Sequence, residues 1–415
     1  MVVAEGTSVM SPQVQPISVV GIGADGWDGL AESARALVSE ADVVFGSRRQ
    51  LDSTPVPSEK ARRWPTPLVP SLHTSFSEWD GRKICVLASG DPMFHGIGVT
   101  LAREFGAARL HVVPAPSSVS LACARLGWAV NEVATVNLVN TPPSALVAAL
   151  AHRARIVVLS RDQDTPAAVA ERLCEAGYSA SPMIVLEQLG GSSERSVAGE
   201  AGSWTHPAGD PLNVVAIDCV ADDGSGRLTR VPGLPDEAYS GDGQLTKAEV
   251  RALTVSALAP APGELLWDVG GGSGSISIEW MRIHPRCRAV AFESAVPRRA
   301  QIIANASTLG VPGLRVLGRA PHAFEDVPDD VPDAVFIGGG LTNDAMIDAC
   351  WDRLRVGGRL VANAVTAESE SLLLQCLSRF GGSLRRFQIY RAEPLGSFTG
   401  WRPQMPVTQW TAVKR

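Results

Sequence analysis

The sequence predicts an α/β protein of two domains, and three observations predict it. Short β-rich runs alternate with helical stretches, each half opens with a glycine-rich turn after its first strand, and an acidic, Gly- and Pro-rich interval separates the halves. At 415 residues the chain suits two or three domains of ~150 residues each. With 45% apolar residues, each half can bury its own core. The formal net charge of -6 excludes the general basic field that draws a protein onto nucleic acid or an anionic membrane, leaving room only for a local basic pocket.

Residues 1 to about 15 are small and polar without helical or alternating pattern, and read as a disordered leader. They lack a positive start followed by an apolar segment, and no run reaches the ~20 apolar residues that span a bilayer, so a cytoplasmic location is expected. From 16 to 220 the chain reads as one mixed α/β domain. Strands are expected at Ile17 to Ile22, Ile84 to Leu87, Leu110 to Val113, Ile156 to Leu159, Met183 to Leu186 and Val214 to Val220. Helical stretches include Leu30 to Ser39 and Thr165 to Ala176. Pro55 to Pro70, with Lys60, Arg62 and Arg63, reads as a solvated loop, with an active-site flap as the rarer alternative. The seven cysteines are scattered without Cys-x-x-Cys spacing and the seven histidines show no ligand spacing, so reduced core thiols and no metal site are expected.

Residues 221–242 turn acidic and rich in Gly and Pro, the mark of a linker or extended crossover. The second domain, 243–415, carries seven expected strands: Leu265 to Asp268, Ala289 to Glu293, Leu314 to Leu317, Ala334 to Ile337, Leu360 to Ala364, Arg386 to Tyr390 and Thr408 to Val413. No long helix separates the last two, which suits an antiparallel pair at one sheet edge.

The most informative stretch runs from Leu265 to Glu279: a buried strand, a glycine loop and a helix start. Gly270, Gly272 and Gly274 alternate, so the dinucleotide fingerprint fails, with Ser275 or Ser277 where its third glycine would stand. Asp268 ends the strand with a carboxylate suited to a ligand bearing an ammonium and a sulfonium, whereas a diphosphate prefers bare amides. Glu293, nineteen residues after Gly274, ends the next strand, where it can accept from both ribose hydroxyls. Together these acids point to S-adenosylmethionine and to group transfer.

Other candidates follow from position. Thr246-Lys247-Ala248-Glu249 reads as a capping box and leaves Lys247 and Arg251 on successive turns of one face, available to an anionic substrate or to water. Ala320 follows the third strand, where such a sheet usually edges an adenine. Gly338, Gly339 and Gly340 keep the end of the fourth strand bare. Asn363 closes the fifth strand with a donor, and Trp401-Arg402 offers an aromatic and a guanidinium to a flat acidic ligand. In the first half Gly21 and Gly23 form a turn too short to identify anything. Gly90-Asp91-Pro92 and Pro116-Ser117-Ser118 are further turns that can offer carbonyls and amides.

Taken together, the Gly-x-Gly start, Gly90-Asp91-Pro92, the Pro-x-x-Ser turn at 114 to 118 and Glu187-Gln188-Leu189 with Glu194-Arg195 resemble the tetrapyrrole methylase family. Thr246-Lys247 with Glu249-Val250-Arg251, Trp267 to Gly270, Phe336 to Gly339 and Asn363 to Thr366 resemble the decarboxylating precorrin methyltransferase domain. In this order the two resemble the precorrin-6Y C5,15-methyltransferase (decarboxylating) family of cobalamin synthesis. The resemblance implies a tetrapyrrole methylase fold of two α/β lobes, then a Rossmann-like seven-stranded methyltransferase sheet. It implies methylation of precorrin-6B at C5 by the first domain, and C15 methylation with loss of the ring C acetate carboxyl by the second, giving precorrin-8X. It implies one S-adenosylmethionine site per domain, with Gly21, Gly23, Gly90, Asp91, Pro92, Pro116, Ser117, Ser118 and Leu189 on the first. Thr246, Asp268, Gly270, Gly272, Gly274, Glu293, Ala320, Gly338 and Gly339 stand on the second, while Lys247, Arg251 and Asn363 are read as positioning a polycarboxylate tetrapyrrole, as is Arg402, for which no family role carries across and chemistry alone gives the reading. It further implies a homo-oligomer, a tetramer through the second domain, while the charge balance and the lack of a long apolar run argue against a nucleic-acid or membrane partner. The continuous Gly270-Gly271-Gly272 departs from the family's alternation and suggests a looser loop. Left open are a nicotinamide-dependent oxidoreductase, disfavoured by glycine spacing and the two terminal strands, and a methyltransferase for another small molecule or RNA.

Overall fold

The computed structural model describes residues 15–224, 228–243, 245–343 and 345–415, so the expected leader lies, but for residue 15, outside them. The chain divides into two units: residues 15–140, 153–174 and 178–220 form the first, and 141–152, 175–177 and the described part of 221–415 the second.

In the first unit β1 (Ile17–Ile22), β2 (Val43–Gly46), β3 (Ala61–Arg63), β4 (Ile84–Ser89) and β5 (Leu110–Val113) make a parallel sheet in the order β3-β2-β4-β1-β5. Its central strands β1, β2 and β4 are near-continuous apolar runs because helices cover both faces. Val19, Phe45 and Val86 face α3 (Leu68–Ser77) and α4 (Ile97–Phe105), while Val20, Val44 and Leu87 face α1 (Glu32–Ser39) and α2 (Arg48–Asp52). After α5 (Ser118–Leu126) a second sheet follows: β6 (Val133–Asn137), β7 (Arg155–Leu159), β8 (Pro182–Glu187), β9 (Arg195–Glu200) and β10 (Asn213–Asp218), in the order β6-β7-β10-β8-β9. Only β6 and β7 pair in parallel; α6 (Thr165–Glu175) follows β7. The expected loop at Pro55 to Pro70 instead contains edge strand β3 and the start of α3, a place where a short strand tolerates flanking prolines.

In the second unit β11 (Leu265–Val269), β12 (Arg288–Phe292), β13 (Arg315–Leu317), β14 (Ala334–Ile337) and β15 (Arg359–Ala364) are parallel, and β16 (Ser383–Phe387) and β19 (Val407–Val413) antiparallel. The order is β13-β12-β11-β14-β15-β19-β16. The last two strands therefore pair as expected, but they are joined by a separate ribbon, β17 (Tyr390–Leu395) with β18 (Phe398–Pro403), which was not foreseen. Strand order reverses between β11 and β14, the switch point at which open α/β sheets bind ligands. Helices α7 (Ala248–Leu258), α8 (Ser275–Ile283) and α9 (Val296–Thr308) cover one face, and α10 (Met346–Arg353) and α11 (Ala367–Phe380) the other.

The expected linker is only partly one. Leu234 and Tyr239 are buried in the second unit's core, and the amides of Gly233 and Leu234 and the Tyr239 hydroxyl all donate to Glu279 on α8. An extended segment whose donors meet a buried carboxylate belongs to the fold, whatever its Gly and Pro content. All seven cysteines are free, but Cys174 is exposed, so only six are core thiols. Among the described residues no helix is long and apolar enough to cross a membrane.

Candidate functional site

The second unit builds its cavity at the switch point. After β11 the chain turns through Gly270 and Gly272, with φ of 78° and 56°, values that favour glycine. The loop is not loose: Gly270 and Gly271 N both donate to the Phe292 carbonyl, at 2.9 and 3.1 Å. A Cβ on Gly270 would stand 2.7 Å from Gly339 N, so the loops after β11 and β14 touch through bare backbone. Gly274 does not line the cavity; it starts α8, where a Cβ would press on Ile302.

Two buried carboxylates flank this loop. Glu293 accepts from Gly272 N at 3.0 Å on Oε2 and from Ala295 N at 2.9 Å and Ser294 Oγ at 3.3 Å on Oε1, which tie it to the loop while Oε2 keeps a lone pair. Asp268 accepts from Ser277 Oγ at 2.7 Å and Ser277 N at 3.2 Å. Burial pushes its carboxyl up to about 6; the Ser277 hydrogen bonds pull it down, and the Glu293 charge pushes it up. Both acids line an open cavity of ≈ 650 Å³ together with Thr246, Gly270, Gly272, Ala320, Gly338 and Gly339. Beside it lies a hollow of ≈ 290 Å³ that shares Thr246, Phe336 and Gly338 and adds Lys247, Asn363 and Arg391.

Three expectations are corrected here. The capping box is absent: α7 begins at Ala248, its N-cap is Lys247, which makes no side-chain cap, and Glu249 is drawn instead to Arg391 at 2.8 Å. Arg251 cannot meet a ligand because it is fully buried; its Nε contacts Glu279 at 2.5 Å, and its Nη1 contacts Asp236 at 3.3 Å and donates to the Thr246 carbonyl at 2.5 Å. Lys247 does line the hollow, 3.5 Å from Asp236. Asn363 lines it too, but donates to Thr254 Oγ1 at 2.9 Å and accepts from Gln409 at 3.0 Å. Arg402 stands on the ribbon, paired with Glu393 at 2.9 Å, and lines neither cavity. The guanidinium that does line the hollow is Arg391, on the other ribbon strand, which sequence reasoning missed.

In the first unit Gly23, Gly90, Asp91, Pro116, Ser117, Ser118 and Leu189 line a cavity of ≈ 400 Å³ reached by the C-terminal ends of β1 and β4. Gly90 takes φ 57°, and Ser117 caps α5 by accepting from Ser120 N at 3.1 Å. Asp91 accepts from Met93 N at 2.8 Å and so shapes its own turn. Gly21 and Pro92 shape the walls without lining them: Gly21 has no room for a Cβ against the Gly90 carbonyl, and the Pro92 carbonyl accepts from Gly98 N. Arg49, His95, Ser160 and Asn213 also line this cavity and were not foreseen. Arg49 had a readable signal: Ser47 and Gln50 form a true capping box directly after the apolar run of β2, placing Arg49 at a helix start.

Comparison with known proteins agrees with this division. Residues 16–204 match the family of tetrapyrrole (corrin/porphyrin) methylases, and residues 237–414 match the precorrin methyltransferase domain. A precorrin-6Y C(5,15)-methyltransferase (decarboxylating) of Mycobacterium tuberculosis is 48% identical over 405 residues, 96% of this chain and 100% of the relative. One from Sinorhizobium sp is 46% identical over 400 residues, 96% of each chain. The crystal structure of the C-terminal domain of precorrin-6Y C5,15-methyltransferase from Rhodobacter capsulatus is 48% identical, covering 45% of this chain and 100% of that one, with a TM-score of 0.42. Related along nearly its whole length to such enzymes, the chain belongs to the precorrin-6Y C(5,15)-methyltransferase (decarboxylating) family.

Proposed function

We propose that the chain methylates precorrin-6B at C5 and C15 with S-adenosylmethionine and removes the ring C acetate carboxyl, giving precorrin-8X in cobalamin synthesis. The first unit, about 16–220, serves C5, and the second, about 243–415 with the buried part of 221–242, serves C15 and decarboxylation. The observation that carries this reading is the relatedness along 96% of the chain to methyltransferases named for both positions, joined to two cavities of unlike build. The nicotinamide alternative falls with family membership, and an RNA substrate finds no support in a net charge of -6.

The residues fit S-adenosylmethionine. Gly270 and Gly339 leave a cradle that a single Cβ would fill, Asp268 presents a carboxylate toward a cationic group, and Glu293 keeps a lone pair on Oε2 for a ribose hydroxyl. When bound, the cofactor supplies a methyl group on a sulfonium. The chain's own task is then alignment and exclusion of water. A meso carbon flanked by pyrrole-derived nitrogens is nucleophilic by itself, so no Ser/His/Asp arrangement is needed. Phe336, Val365 and Met405 give the hollow apolar walls, while Lys247 and Arg391 would hold acidic arms of the ring. Held with one carboxylate out of the ring plane, the macrocycle can take up the electrons released on decarboxylation. By family resemblance we place the enzyme in a homo-oligomer, which light scattering on purified protein tests.

The test uses the full-length protein with reduced hexamethylated precorrin and isotopically labelled cofactor, read by mass spectrometry. Wild type gains two labelled methyl groups and loses carbon dioxide. Gly270→Val, which sets a branched side chain against Gly339, loses the second methylation and the decarboxylation and keeps the first. Absence of label in the wild-type product, or decarboxylation by Gly270→Val at the wild-type rate, sinks the reading.

A further inference from the structure

The first unit's cavity has a divided polarity that the fold alone does not require. Its second-sheet wall carries orphaned polar atoms. Asn213, at the start of β10, is 8% exposed; its Nδ2 donates to the carbonyls of Asp162 at 3.1 Å and Asp210 at 2.8 Å. Both amide hydrogens are thereby spent, which fixes the amide's orientation and leaves Oδ1 buried without a partner, as is Ser160 Oγ. Buried polar atoms left unmet in a cavity wall await a partner from outside the chain.

The first-sheet wall is a donor wall. Arg49 is the only lysine or arginine lining the cavity among the described residues, and it is half-buried. Its Nη2 donates to Ser89 Oγ at 2.9 Å, and Gln50 Nε2 donates to the same oxygen at 3.0 Å. No carboxylate lies within ion-pair distance of Arg49 among the described residues. Burial lowers its pKa, and the charge of Asp210 offsets this only in part. The cavity's one lining carboxylate, Asp91, is turned to the Met93 amide. A guanidinium with five donors in a rigid fork, pinned by one neutral hydroxyl and lacking an acid, is matched to a carboxylate brought by a ligand.

We infer that Arg49 is the substrate-carboxylate anchor of the first unit, gripping one acidic arm of the tetrapyrrole at the donor wall while the acceptor wall of Asn213 and Ser160 takes N–H groups. This deepens the functional reading above and rests on it. Ser89 acts through Arg49 as a positioning residue, holding the fork in place.

The test measures C5 methylation of reduced hexamethylated precorrin by full-length wild type, Arg49→Met, Arg49→Gln and Arg49→Lys, with cofactor binding followed by calorimetry. A lost charge-assisted pair raises KM for the tetrapyrrole by about ten- to a hundredfold in Arg49→Met and Arg49→Gln. Cofactor affinity and melting temperature stay at wild-type values, and Arg49→Lys recovers part of the KM. An unchanged KM in both neutral variants overturns the inference, as does a loss of cofactor affinity that parallels the rise in KM, or a fall in kcat alone. Should Arg49→Met fail to fold, Arg49→Gln and Arg49→Lys carry the comparison. If wild type itself leaves the precorrin unmethylated, the functional reading fails first, and that result is distinct from any difference among the variants.

Discussion

The two units solve one problem with different chemistry. The first lines its cavity with turn backbone, a capped helix and small hydroxyls, and none of its fully buried carboxylates lines that cavity. The second sets two buried carboxylates, Asp268 and Glu293, beside its glycine loop and backs the cavity wall with a dry ion pair, Arg251 with Glu279. The difference lies in how each cavity keeps its shape. Backbone turns hold themselves through local hydrogen bonds, whereas the second unit's wall depends on charges that are costly to bury and costlier to leave alone.

The largest expected effect follows from that dependence. Arg251→Met removes one partner of a buried pair and strands Glu279, and it also frees the Thr246 carbonyl that Arg251 holds at the cavity wall. Breaking such a pair costs roughly 3–5 kcal/mol. The second unit's transition in calorimetry of the full chain should fall accordingly, with its cofactor affinity, while the first unit's transition stays in place. Adding Glu279→Gln should restore part of the loss, because a neutral amide no longer needs the cation. A fall in second-unit stability below about 1 kcal/mol would show that the pair contributes little.

How much of this was legible depends on how local the signal is. β1 and β5 were read at their full extent because each is a short apolar run between turn signals. The Asp268 to Gly274 loop with Glu293 was likewise readable, since strand, glycine and acid follow one another in a single βαβ unit. β2, β3, β6 and β9 were missed: β3 has only three residues, β6 and β9 bury few side chains and so carry a weak apolar pattern, and β2, though as short and apolar as β5, was passed over. The errors in the second unit share one cause. Arg251 reads as a helix-face cation until Glu279, twenty-eight residues on, is known to meet it in the core. Leu234 and Tyr239 read as linker until the same glutamate collects their donors. Thr246 and Glu249 satisfy a capping pattern, yet the pull of Arg391, 142 residues away, takes the acid elsewhere. Sequence patterns report local bonds; where a distant partner competes, the pattern alone names the wrong one.

A second prediction separates the units by pH. Folded Asp268 titrates at about 6 against an ordinary value of 3.8. Below about pH 4 it is protonated folded and unfolded alike and exerts no penalty. As pH rises from about 4 to 6 the unfolded chain ionises first, so stability falls, and above about 6 the loss is complete, of order 3 kcal/mol. Asp268→Asn should therefore flatten the pH dependence of second-unit stability across that window in urea titrations. In the same window the second unit's affinity for the cationic cofactor should rise as Asp268 ionises, and the first unit's should not follow. Equal slopes in both units would remove the contrast in chemistry drawn here.

A smaller effect tests the first unit's reliance on turns. Ser117→Ala deletes the cap on Ser120 N, at a residue that also lines the cavity. Loss of such a cap costs about 1 kcal/mol. The first unit's melting temperature should drop by a few degrees and its cofactor affinity severalfold, with C15 methylation by the second unit unaltered. If Ser117→Ala leaves both unchanged, the turn is held by its neighbours and not by its cap.

The smallest effect sharpens the second unit's substrate side. Arg391 and Arg402 sit directly across the β17–β18 ribbon from one another, so they share strand environment and differ in what they face. Arg391 lines the hollow beside the glycine-loop cavity, held by Glu249 at 2.8 Å and Asp236 at 3.7 Å. Arg402 is 73% exposed and, among the described residues, pairs only with Glu393 on its own ribbon. Arg391→Ala should raise KM for the tetrapyrrole in C15 methylation by about tenfold, the loss of one charge-assisted contact. Arg402→Ala should leave KM, kcat and melting temperature at wild-type values, since a solvated pair on an exposed ribbon is already screened by water and salt. The contrast holds only if the two variants part company. Equal loss in both would mean that the exposed face of the ribbon meets the substrate as well, and the hollow would then be one wall of a larger site.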